Sequence, residues 1–144
     1  MRYLPTHLPH RRRRGNAVLE AALVLPVLIS LTFGCIEFGY FLYTKNTFQG
    51  AAREGARAGI TPTSTNTDVT TAVTSTLTAA GLQNCGYTTL IESPLGTSTN
   101  VATLSAGSQI YVTVRVNWSA IGVRPLGVIP ATKQVTGIAV MRKE

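Results

Sequence analysis

A chain of 144 residues holds one small domain and an anchor, not two full domains. Its formal charge of +7 would suit a nucleic-acid binder if it were spread over a surface. Instead, Arg2 and Arg11 to Arg14 lie in the first 15 residues, which hold no acid, and the other 129 carry eight basic and six acidic groups. Basicity confined to so short a stub is a topology signal rather than a binding face, so no nucleic-acid partner is expected.

In chain order, residues 1–15 read as a cytoplasmic leader held inside by its arginines. Gly15 offers a candidate scissile bond, and a carboxylate, Glu20, stands five residues further on, the spacing of a prepilin-type leader. Cleavage between Gly15 and Asn16 frees the ammonium of Asn16. Glu20, an acid at the top of an otherwise apolar helix, needs such a cation.

From Ala17 to Tyr43 the only formal charges are Glu20 and Glu37. A bilayer core takes about 20 apolar residues, and counted from Leu19 the span ends near Phe38. Glu37 therefore falls at the far interface, where it reaches water beside Phe38, Tyr40, Phe41 and Tyr43, a set resembling an aromatic belt. The same carboxylate could instead be an assembly contact. The arginine cluster before the span sets the N-terminus inside and the C-terminus outside. A cleaved secretory signal would show a shorter apolar stretch, about 7–15 residues, and a small-residue cleavage site. A lipid-modified Cys35 would be poorly served by the preceding Thr32 and Phe33. A retained membrane helix fits better, and Pro26 is tolerated in one.

Beyond the span the helix pattern continues to Gly59. Ala51, Gly55, Ala58 and Gly59 recur at helical spacing and form a stripe almost free of side chains. It can pack against another subunit or dock on the chain's own sheet, and the sequence leaves both open. Residues 60–67 read as a linker. Thr67 or Asp68 caps a second helix running to Ala80, with Gly81 as its stop. Tyr87–Glu92, Val101–Leu104, Gln109–Asn117 and Lys133–Met141 are strand candidates, the third alternating cleanly through Ile110, Val112, Val114 and Val116. The expected architecture is α+β: a long N-terminal membrane-spanning helix, one further helix and a small antiparallel sheet outside the membrane. The divisions are leader 1–15, helix 16–59, linker 60–67 and outer domain 68–144.

No catalytic constellation emerges. His7 and His10 both lie in the leader, and the outer domain after the linker has only Asp68, Glu92 and Glu144 as acids. No general-base pair, nucleophile–base pair or phosphate-binding glycine loop is present. The reading is of no enzyme, cofactor, metal site or small-molecule substrate. Cys35 and Cys85 are too far apart in topology to bridge, and Asn117–Trp118–Ser119 reads as a chance glycosylation match.

The arginine-rich leader, Gly15, Glu20, Ala22–Pro26, Phe33–Gly39 and the block Ala51–Ala52–Arg53–Glu54–Gly55–Ala56–Arg57 together resemble the TadE-like family. Its members are minor pseudopilins of Tad (Flp, type IVc) pilus systems. The resemblance implies a single-pass bacterial inner-membrane subunit that a prepilin peptidase processes and that works with other pilins or pseudopilins and Tad assembly proteins on an adhesive pilus. On this chain it places the cleavage between Gly15 and Asn16 and the assembly acid at Glu20. A type II secretion pseudopilin, or an uncleaved bitopic protein presenting a β-rich interaction domain, are the alternatives.

Overall fold

The computed structural model describes residues 13–122 and 124–144, with side chains from Ala17 onward. Arg2, His7, His10, Arg11 and Arg12 of the expected leader lie outside the described residues. Helix α1 is a single 47-residue element, Arg13–Gly59, and contains Pro26, whose ring nitrogen has no proton for the carbonyl one turn earlier. Its C-terminal carbonyl at Gly59 accepts a hydrogen bond at 2.6 Å from the hydroxyl of the buried Ser64.

Helix α2, Asn66–Ala79, folds back along α1. Its cap lies earlier than the sequence suggests. Thr65 is the N-cap and Asp68 the third helical residue: Thr65 Oγ1 accepts from the Asp68 amide, and the Asp68 carboxylate accepts from the Thr65 amide at 2.8 Å. This reciprocal arrangement satisfies two otherwise orphaned donors. Both partners hold the Asp68 carboxyl below its ordinary range, the backbone amide of Thr65 foremost and its hydroxyl second.

Three strands follow, β1 (Thr88–Glu92), β2 (Gln109–Asn117) and β3 (Gln134–Arg142), in one antiparallel sheet with β2 central. Val101–Leu104, expected as a strand, is a 3₁₀ turn over Val101–Thr103 instead. Its amides are already spoken for. Asn66 Oδ1 accepts from the Val101 amide at 2.8 Å, and Asn100 Oδ1 accepts from the Ala102 amide at 3.1 Å. The turn buries Val101 completely, whereas a strand would need those donors for a ladder.

The inward row of β2 is the alternating one, with Ile110, Val112, Val114 and Val116 all buried. Opposite them β3 presents Ala139 to Val112, Gly137 to Val114 and Val135 to Val116. The small residues let α1 come down onto β3: a Cβ at Gly137 would overlap the Phe48 carbonyl. Gln49 then reaches the sheet edge, donating to the Ile138 carbonyl at 2.6 Å and accepting from the Ile138 amide at 3.3 Å. The side-chain amide covers part of an edge that would otherwise stand open to pairing.

The small-residue stripe resolves the same way. A Cβ on Gly55 would come within 2.6 Å of Val73 Cγ2 and 3.3 Å of Val112 Cγ1, and one on Gly59 within 3.1 Å of Val69 Cγ2. Ala51 is fully buried and Ala58 half-buried. The stripe seats α1 against its own α2 and β2, so of the two open readings the structure uses docking within the chain.

Candidate functional site: the membrane helix and its junction

α1 has two halves of opposite character. From Phe48 to Ala56 it supplies Phe48, Ala51, Ala52 and Ala56 to the core, all fully buried. From Ala17 to Ile36 almost every residue is exposed, including Val18, Leu19, Leu23, Val27, Leu28 and Leu31. This half is long and apolar enough to cross a membrane, and nothing among the described residues covers it. An apolar stretch of this length left bare in water would be strongly unfavourable, whereas a bilayer is its natural solvent.

Gly15 and Asn16 lie in the first turn of α1. Glu20 follows one helical turn after Asn16, is exposed, and has no hydrogen-bond partner among the described residues.

Glu37 is treated differently. It is only 1% exposed, although it lies on a helix whose neighbours Ile36 and Phe38 are open. Its Oε1 accepts from the Ile129 amide at 2.9 Å and its Oε2 from the Leu126 amide at 3.2 Å. The expected route to water at the interface is thus not taken. The carboxylate fastens the β2–β3 loop to α1, and hydrogen bonds to a charged acceptor are among the stronger ones. Sequence reasoning did not reach Leu126 and Ile129. The available hint was Leu126–Gly127–Val128–Ile129–Pro130, an apolar run inside a loop, where polar residues are the rule.

The expected aromatic belt is divided. Phe38 stays 58% exposed and Tyr43 is 46% exposed. Tyr40 and Phe41 are half-buried and pack on Trp118, at ring-centroid distances of 6.0 and 5.2 Å, the second edge-on. Trp118 is fully buried, and its indole N–H has no partner among the described residues. The Tyr43 hydroxyl donates to the Ala80 carbonyl at 3.2 Å, tying down the end of α2. These contacts fix the base of the outer domain on the helix just above the apolar half. Cys85 is buried at the same end, and loss of hydration pushes its thiol up, away from reactive thiolate. Cys35 is free and exposed on the apolar half.

An apolar helix long enough to cross a membrane that continues as the central support of a small α+β domain fits a membrane-anchored class of protein. Within that class, the family model described as TadE-like protein matches residues 15–57, from the candidate cleavage site through the Ala51–Arg57 block. The resemblance read from those residues is confirmed, and the match supports a Tad pilus-associated protein. No curated protein and no solved structure matches the chain.

Proposed function

We propose that this chain is a TadE-like minor pseudopilin, a membrane-anchored, non-catalytic component of Tad (Flp, type IVc) pilus assembly. It lies N-inside in the bacterial inner membrane with its α+β domain outside, as the arginine-rich stub requires. A prepilin peptidase removes the leader between Gly15 and Asn16. Other pilins or pseudopilins and Tad assembly proteins are its partners.

The observation that carries the reading is the bare apolar half of α1 with an exposed acid at its start that has no partner among the described residues. In lipid an unpaired carboxylate is costly. The Asn16 ammonium of a neighbouring subunit would offset that cost and set axial register, as a single buried polar pair does in a coiled coil. The match over residues 15–57 supports the same reading.

Two measurements test it. Mass spectrometry of the protein extracted from membranes should find Asn16 as its first residue; an intact N-terminus would leave only an uncleaved bitopic anchor. Glu20→Gln should insert normally and abolish piliation, and normal pili in that variant would reject the assembly role.

A further inference from the structure

We infer that the β2–β3 loop is a second membrane contact, with Leu126 and Val128 seated among the acyl chains of the outer leaflet and Glu37 acting as the clip that holds them there. The inference rests on α1 crossing a bilayer, as proposed above.

The first observation is position. Leu126 and Val128 are 44% and 68% exposed, and they flank an apolar groove whose floor is α1 from Ser30 through Gly34 to Phe38. That floor is part of the span. Ser30 lies about 10 Å nearer the cytoplasm than Glu37 along the helix axis. The tips of the loop therefore hang below the carboxylate that holds them, alongside residues that already face lipid.

The fold dictates that the loop points this way. β2 descends from Ile110, near Gly59, to Trp118, against Phe41. Over the same interval α1 rises about 27 Å, and eight strand residues span about 26 Å. The β2–β3 connection is thus at the membrane-facing end, and the loop carrying Leu95, 59% exposed, is at the opposite end.

The second observation is polar satisfaction. Irregular backbone is excluded from hydrocarbon unless its amides find partners within the protein. Glu37 takes the Leu126 and Ile129 amides, and does so with a charge that needs donors at that depth. Clip and loop answer each other's requirement. Arg124 is exposed at the start of the loop, with its Nη2 3.9 Å from where a Cβ on Gly127 would stand, and a long basic side chain there can extend to headgroup phosphates. Acyl chains are favoured over a sister helix because the groove is continuous with the lipid-facing surface of the span.

The test uses full-length protein with Cys35→Ser and Cys85→Ala, reconstituted in phosphatidylglycerol–phosphatidylethanolamine vesicles. A single environment-sensitive fluorophore is placed at Val128→Cys, at Leu28→Cys or at Leu95→Cys. The label at 128 should be quenched by spin-labelled lipid as strongly as that at 28, be blue-shifted relative to 95, and resist aqueous iodide. Adding Glu37→Ala should reverse the behaviour at 128 and leave 28 unchanged. Iodide quenching at 128 equal to that at 95 overturns the inference. Shielding of 128 from both quenchers, with cross-linking of Val128→Cys to α1 of a second copy, overturns it in favour of subunit packing. Iodide access at 28 itself would sink the membrane reading on which the inference stands, and so distinguishes the two failures.

Discussion

A carboxylate removed from water must find donors, and Glu37 finds two in backbone amides. Glu37→Ala removes both acceptors without touching the sheet. Hydrogen exchange at Leu126 and Ile129 should accelerate while β2 amides stay protected; unchanged protection would show that the loop is held by other means. Asp68 offers the complementary case in water. Its carboxyl is held below the ordinary value by the Thr65 amide first and hydroxyl second. A group lowered in the folded state contributes stability above its unfolded pKa and loses it as pH falls through the folded one. The contribution should thus be whole at neutral pH and decline from about pH 4 downward. Unfolding followed against pH in detergent should show that acid limb, and Asp68→Asn should flatten it. Thr65→Ala, which removes the cap oxygen, should cost about 1 kcal/mol at neutral pH.

Among the elements, α1 is the one whose glycines separate packing from propensity. Gly50 and Gly55 are both helical, yet a Cβ at Gly50 meets nothing within 4 Å, whereas one at Gly55 meets the stiff, buried Val73 at 2.6 Å. Gly50→Ala should therefore stabilise by roughly 0.5–1 kcal/mol through helix propensity alone. Gly55→Ala should destabilise by about 1–3 kcal/mol despite the same propensity gain. Denaturant unfolding of the pair decides the matter, and equal effects would mean that the stripe does not carry the helix contact. Gly137→Ala should be the most damaging of the three, because the obstacle there is the Phe48 backbone, which no rotamer change can move.

At the scale of the molecule, anchor and outer domain share one helix. Phe48, Ala51, Ala52 and Ala56 are core residues contributed by the anchor's own continuation. A fragment covering residues 60–144 should therefore fail to fold, while 37–144 should melt cooperatively. Trp118 is the one tryptophan and is fully buried, so its emission should stay blue in 37–144 and shift red in 60–144. A cooperative transition in the shorter fragment would show that the helix is dispensable to the domain. The apolar half and the core half of α1 are joined by continuous helix, Arg13–Gly59, rather than by a linker.

Sequence by itself determined the long apolar helix, the charge asymmetry, the second helix and three strands, read as Tyr87–Glu92, Gln109–Asn117 and Lys133–Met141 and found at Thr88–Glu92, Gln109–Asn117 and Gln134–Arg142. These depend on composition and on periodicity over a few residues, which need no distant partner to be read. It also marked Gly15, Asn16 and Glu20, whose spacing is local. Tertiary structure alone decided the rest. Glu37 meets amides 89 and 92 positions away, and nothing within its own helix announces them. The stripe at Ala51–Gly59 could have faced a sister chain until Val69, Val73 and Val112 filled its groove. Val101–Thr103 had strand composition, but Asn66, 35 positions earlier, had already claimed its amide. A local pattern states what a segment can form; which face it buries, and which donor it answers, depend on the chain brought alongside it.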